Sequence, residues 1–157
     1  MARRSAGILV YRSQGPRLEV LLGHPGGPFW SRRDQRAWSI LKGEYAEGED
    51  PEAAARREFA EETGWSLTGP LEPLGEIRQR GGKIVTAYAA CADFDTATLS
   101  SNTFELEWPP GSNRTQSFPE IDRAEWFTLE EAGLKIVPGQ AGFLDRLAAG
   151  PCASRGS

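Results

Sequence analysis

The stretch GEYAEGEDPEAAARREFAEETGW, Gly43 to Trp65, decides the reading of this chain. Its second part is a helix with clear ends. Asp50 is a capping residue, Pro51 suits the first helical position, and Glu52 favours the positive end of the dipole. Ala53, Ala54 and Ala55 propagate the helix. Gly64 is the left-handed stop, with Trp65 placed to pack back. The spacing predicts a helix over Pro51 to Thr63. Near its C-terminal end stand Glu58, Glu61 and Glu62, within an arc of about 100°. Like charges at i,i+3 and i,i+4 repel by roughly 0.2–0.5 kcal/mol per pair, and last-turn carboxylates oppose the dipole. Arg57 can reach Glu61 and Arg56 can pair with Glu52, but Glu58 and Glu62 find no partner on the helix. Ala54 and Ala55, one turn back on the same face, leave room for an approaching group.

Two readings of this acidic face compete. A solvated surface is the common fate of a run of glutamates. The other is a site for a hard cation, Mg2+ or Mn2+, which prefers carboxylate oxygens and relieves both the repulsion and the dipole penalty. Helix geometry alone does not choose between them.

The chain as a whole narrows the options. Its 157 residues suit one domain with a real core, expected over residues 1–150, with 151–157 a disordered tail. A formal net charge of -4 argues against a broad footprint for a nucleic-acid polymer but leaves room for a local basic pocket. Cys91 and Cys152, without CxxC spacing, suggest a reducing compartment and no disulfide framework. The apolar run after the basic start is too short for a signal sequence or a membrane span, so the expectation is cytoplasmic.

Strand patterns dominate the rest. Ala6 to Tyr11 and Leu18 to Leu22 read as a hairpin, and Trp38 to Leu41 as a short strand. Leu74 to Arg78, Lys83 to Cys91, Thr103 to Trp108 and Ala124 to Phe127 follow as strands, with Pro109 to Glu120 a polar loop. Leu129 to Gly133 starts a short helix, and Gln140 to Ala149 is amphipathic with Phe143, Leu144 and Leu147 inward. This is a mixed α/β (α+β) domain with a mixed sheet, not a doubly wound one.

The spacing of the first stretch resembles the Nudix box, GX5EX7REUXEEXGU, where U is bulky and apolar. Gly43, Glu49, Arg57, Glu58, Glu61, Glu62 and Gly64 match its fixed positions, with Phe59 and Trp65 at U. Many members carry proline where Leu41 stands. The resemblance implies an α/β/α sandwich and metal-dependent hydrolysis of a nucleoside diphosphate linked to another moiety. It implies Glu58, Glu61 and Glu62 as ligands of Mg2+ or Mn2+, joined by the Gly43 carbonyl, and Glu49 with Arg57 as a brace. Glu58 is one candidate for the general base. Glu120, six residues before Trp126, is the other, since MutT-like members carry a glutamate in the loop before a late Trp-bearing strand.

Substrate contacts are expected from Arg32 and Arg33 beside Phe29 and Trp30, from Arg78, Arg80 and Lys83 around Gly81-Gly82, and from Tyr88 if it faces a pocket. His24, the sole histidine, is read as a turn or surface residue. Family signatures for dinucleoside polyphosphates and ADP-ribose are missing, since Arg80, Gly81, Gly82 and Lys83 occupy those positions. The expected partner is a small phosphorylated nucleotide, with no membrane and a monomer or homodimer. The competing class is a Nudix-fold module that senses a nucleotide without cleaving it; such modules typically lose box glutamates.

Overall fold

The computed structural model describes residues 3–150, so the tail expected from 151 onward lies outside the described residues. Eight strands and three α-helices follow one another: β1 (Arg4–Gln14), β2 (Arg17–Pro25), β3 (Leu41–Glu44), α1 (Pro51–Thr63), β4 (Glu72–Arg78), β5 (Ile84–Cys91), β6 (Thr103–Glu107), β7 (Thr115–Pro119), β8 (Ile121–Thr128), α2 (Leu129–Lys135) and α3 (Ala141–Ala149). The main sheet runs β4-β5-β1-β2-β8, with β3 paired to β1. Only β1 and β5 are parallel among these pairs, so the sheet is mixed, as expected.

β1 is the organising strand. One edge pairs with β5 over Arg4 to Tyr11. The other is shared: Ser5 to Ile8 face β3, and Tyr11 to Gln14 face β2. Its apolar residues are buried on both faces because each face meets a helix layer. Ala6, Ile8 and Val10 pack toward α1 with Leu41, Ala54, Ala55 and Phe59. Leu9 and Tyr11 pack the other way with Trp38, Phe127, Phe143 and Leu147. The period of two thus sorts one continuous apolar run into two cores. The result is the α/β/α sandwich expected from the resemblance. No helix among the described residues is long and apolar enough to cross a membrane.

Four expectations change. The strand foreseen at Trp38 to Leu41 lies three residues later, at Leu41–Glu44. Trp38 and Ser39 make only single bridges, to Ile136 and Gly23, and the Trp38 ring is buried against His24 and Phe127. The loop after Trp108 contains β7, which forms a two-stranded ribbon with β6. Its Thr115, Gln116 and Ser117 are exposed, so no apolar alternation announces it. Ala54 and Ala55 do not clear space for a ligand. Both are fully buried, and their small size lets α1 lie close on the sheet. His24, read as a turn or surface residue, is fully buried; its Nδ1 lies 2.8 Å from Asp122 and its Nε2 2.6 Å from the Arg33 carbonyl.

Because the Ala55 methyl fills its site, Ala55→Leu should overpack the helix–sheet contact and lower stability by about 1–3 kcal/mol. Urea denaturation checks this; an unchanged midpoint would mean that α1 has slack against the sheet.

Candidate functional site

Helix α1 has the ends that its sequence requires. The Asp50 carboxylate accepts a hydrogen bond from the Ala53 N–H at 3.0 Å, and Gly64 adopts φ 79° with its N–H donating to the Ala60 carbonyl. Two further carbonyls at the end of the helix are capped by the segment that precedes β6. Ser100 N–H donates to Thr63 O and Asn102 N–H to Glu61 O, both at 2.8 Å. The same segment receives Glu120, whose N–H donates to Asn102 O at 2.8 Å, while Gly26 N–H donates to Glu120 O at 2.9 Å. Backbone bonds alone therefore carry Glu120, far away in sequence, to the acidic end of α1.

The repulsion among the helix glutamates is answered first by Arg57. Its guanidinium lies 2.9 Å from Glu58, 3.5 Å from Glu61 and 3.1 Å from Glu49. The Glu49–Arg57 brace expected from the resemblance is present as two hydrogen bonds, Nε to Oε2 and Nη2 to Oε1. Glu58, read from the helix as unpaired, is thus paired with its neighbour in sequence. Gly43 lies directly beneath it: a Cβ there would overlap the Glu58 carboxylate. Only glycine lets strand β3 and the glutamate come this close.

Glu62 behaves differently. It is 7% exposed and forms no ion pair with Arg57. Burial pushes its carboxyl up to about 8; Lys42 opposes the shift, and Glu58, Glu120 and Glu61 add to it. Glu58 is raised by burial and then by Glu61, against Arg57. Lys42 is lowered to about 8 by burial and by nearby Lys83.

These groups share a cavity of about 280 Å³. Gly43, Glu44, Glu58, Glu62 and Glu120 line it together with Ser5, Lys42, Lys83 and Asn102, and Lys42 acts electrostatically on Glu62. Glu61 is not on this lining; it stays with Arg57 at the rim. Among the described residues no three carboxylates, imidazoles or thiolates stand together as a ready-made cation cage. The donor set nevertheless fits a hard cation. Glu58 and Glu62 would offer only oxygen donors in a site that penalises their charge, and one cationic group, the Arg57 guanidinium, already lies within 3.5 Å of both Glu58 and Glu61.

The expected substrate residues divide. Lys83 lines the cavity. Arg32, Arg33, Arg78 and Arg80 do not; all four are exposed, and Arg33 lies over the Trp30 ring at 5.4 Å. Tyr88 is 9% exposed and packs in the core under α1, because its position on β5 puts it in the apolar layer with Ile8 and Phe59. Ser5, Lys42 and Asn102 were missed. Lys42 had a readable signal, a lysine closing an otherwise apolar strand just before Gly43. Asn102 had none, since its place depends on backbone bonds to α1.

The NUDIX domain model matches residues 1–147. The chain belongs to the NUDIX family. It is 50% identical over 54 residues to an RNA pyrophosphohydrolase of Caulobacter vibrioides, covering 31% of each chain. It is 30% identical over 139 residues to an octanoyltransferase of Myxococcus xanthus, covering 87% of this chain and 34% of that one. The chain thus spans about a third of the length of these curated relatives. A crystal structure of a C. elegans Ap4A hydrolase binary complex superposes with a TM-score of 0.64 at 23% identity, over 97% of this chain and 99% of that one. That likeness bears out the fold, and the family match bears out the reading of the box.

A carboxyl raised from 4.5 to about 8 takes up a proton on folding within that window, so its contribution to stability falls as pH rises through it. In metal-free buffer, Glu62→Gln should raise the melting temperature by several degrees near pH 8.5 and change it little near pH 5. Equal shifts at both pH values would contradict a buried, strained carboxylate.

Proposed function

We propose that this chain hydrolyses a phosphoanhydride bond in a nucleoside diphosphate linked to another moiety, using Mg2+ or Mn2+ held by Glu58, Glu61, Glu62 and the Gly43 carbonyl. One observation carries the reading. One cavity brings together Glu58 and Glu62 of the complete Nudix box, Glu120 and two lysines. Such a cavity suits a chain of phosphates bridged to carboxylates by a cation. The names of the relatives, a pyrophosphohydrolase and an Ap4A hydrolase, support a nucleoside triphosphate, capped oligonucleotide end or dinucleoside polyphosphate as the substrate class.

When bound, the cation supplies neutralisation of the phosphate charge and a water of lowered pKa. The chain's own groups do the rest. Water attacks one phosphorus, the bridging P–O bond breaks, and the displaced phosphate leaves with the bond's electron pair. Glu120 is the proposed acceptor of the water's proton, with Glu58 the other candidate. Glu120 is suited by its place on the cavity wall, beside Glu62 and held by its own backbone at both ends. Glu58 is already committed to Arg57. Arg57 and Glu49 position the helix glutamates and do not touch substrate.

The cavity is small by the standard of ligand pockets, which run to about 300–1,000 Å³. It suits the phosphates and leaves the nucleoside outside. A larger hollow of about 680 Å³, lined by Arg3, Arg4, Tyr45 and the Glu44–Glu49 turn, adjoins it through Glu44. This hollow is the proposed seat of the rest of the substrate.

The retained box glutamates favour an enzyme over a sensing module. A nucleotide panel with Mg2+ or Mn2+ tests the choice, with products read by chromatography. Glu61→Gln and Glu62→Gln should each cut turnover at least a hundredfold at limiting Mg2+ without unfolding the protein; wild-type turnover in both would remove the metal role. Glu120→Gln should lower kcat and flatten the rise of activity with pH. An unaltered pH–rate profile would return the base to Glu58.

A further inference from the structure

The pairing of β2 with β8 keeps one register from Glu19–Thr128 to His24–Arg123 and then slips by one residue, so that Pro25 faces Ile121. Asp122 is left without a partner across the strands, as the extra residue of a bulge. Gly26 continues in the slipped register, its N–H donating to Glu120 O at 2.9 Å. A Cβ on Gly26 would overlap the Pro119 carbonyl, so the two segments lie as close here as glycine allows. Glu120 therefore reaches the cavity wall just beyond this bulge. The first register, carried on, would set Ile121 opposite Gly26 instead. A slip of one residue exchanges the two faces of a strand, which would turn the Glu120 carboxylate away from the cavity.

One side chain holds the bulge. The His24 ring, fully buried, has Nδ1 2.8 Å from the Asp122 carboxylate and Nε2 2.6 Å from the Arg33 carbonyl. A carbonyl only accepts, so Nε2 carries a proton and donates it. A second proton, on the ring or on the carboxyl, completes the bond to Asp122. The other cation near that carboxylate is Arg123, whose Nε is 3.9 Å away, beyond hydrogen-bond reach. The Trp38 ring packs on the imidazole, 5.0 Å away between centroids. The imidazole thus ties β2, the loop at Arg33 and the bulged residue of β8 together at one point. An apolar side chain would fill the same core space without polar bonds; what the histidine adds is the hold on its two partners.

We propose that His24, acting through Asp122, is a positioning residue for Glu120: it fixes the bulge that turns the Glu120 carboxylate into the cavity. This role rests on the hydrolase reading with Glu120 as the base, and extends it to two residues that do not line the cavity. The ring governs where the proton acceptor stands. Loss of the link lowers the rate of the chemical step and leaves substrate binding in place.

Asp122 is the exposed end of the link, so its variants test it without opening the core. Asp122→Ala should lower kcat about tenfold or more and leave KM within about twofold of the parent. Asp122→Asn, whose amide can donate to Nδ1 of a neutral ring, should restore most of the rate. In a Glu120→Gln background Asp122→Ala should have little further effect, because both substitutions act through one carboxylate. A histidine that only stabilised the fold would shift thermal melts and leave this pattern absent. Amide hydrogen exchange reads the bulge without turnover: the Gly26 N–H should exchange about tenfold faster or more in Asp122→Ala, and like the parent in Asp122→Asn. Parental kcat in Asp122→Ala, a full further loss in the Glu120→Gln background, or parental protection of Gly26 each overturns the positioning role. The hydrolase reading fails separately. Faster exchange at Gly26 in Asp122→Ala, with no anhydride turned over by the parent, keeps the link and removes the enzyme. Parental turnover and protection in Asp122→Ala do the reverse.

Discussion

A single guanidinium, that of Arg57, makes the acidic end of helix α1 possible. It meets Glu49, Glu58 and Glu61 within 3.5 Å, so a cluster that would repel itself and oppose the dipole is held in register before any ligand arrives. Glu49 joins this network from the turn before the helix, and its Oε1 also accepts from the Ala46 N–H. The loop from β3 into α1 is therefore fastened to the helix at the point where the loop must deliver Gly43. The missing Cβ of Gly43 then lets Glu58 lie against the strand. Charge pairing, loop closure and a steric allowance act on the same few residues.

Arg57 satisfies only the outer half of the cluster. Glu62 is left inside with Lys42 as its main opposing charge and with its carboxyl raised to about 8. A buried carboxylate in that state is poised for a cation, which would replace its proton and reverse the cost of burial. Around it the cavity mixes carboxylates, Glu44, Glu58 and Glu120, with the amines of Lys42 and Lys83. A polyphosphate is negatively charged throughout. A cation held by the box glutamates would offset the carboxylate charge that otherwise repels such a ligand.

Much of this was legible in the sequence, for identifiable reasons. The ends of α1 matched at Pro51 and Thr63 because capping and stop signals are local. The box glutamates and the Glu49–Arg57 brace were legible because their spacing is local too. Glu120 could be placed only by resemblance, since it reaches the site through backbone bonds to Asn102 and Gly26. Tyr88 and the two alanines were ambiguous because helical or strand periodicity gives a face without saying what covers it. The arginines around Trp30 and Gly81 had the right chemistry for phosphate, but they stand on turns that the fold points elsewhere. His24 was misread because a proline and two glycines after it suggest exposure, whereas Asp122 and the Arg33 carbonyl bury it from two distant segments.

On the proposed reading, the end of α1 gathers a divalent cation. Titration of Mn2+ followed by its electron paramagnetic resonance signal tests this directly, since bound Mn2+ disappears from the free-ion spectrum. The protein should remove Mn2+ from solution, and a Glu58→Gln, Glu62→Gln double variant that still melts cooperatively should not. Equal Mn2+ binding by the two proteins, or none by the parent, would contradict the assignment.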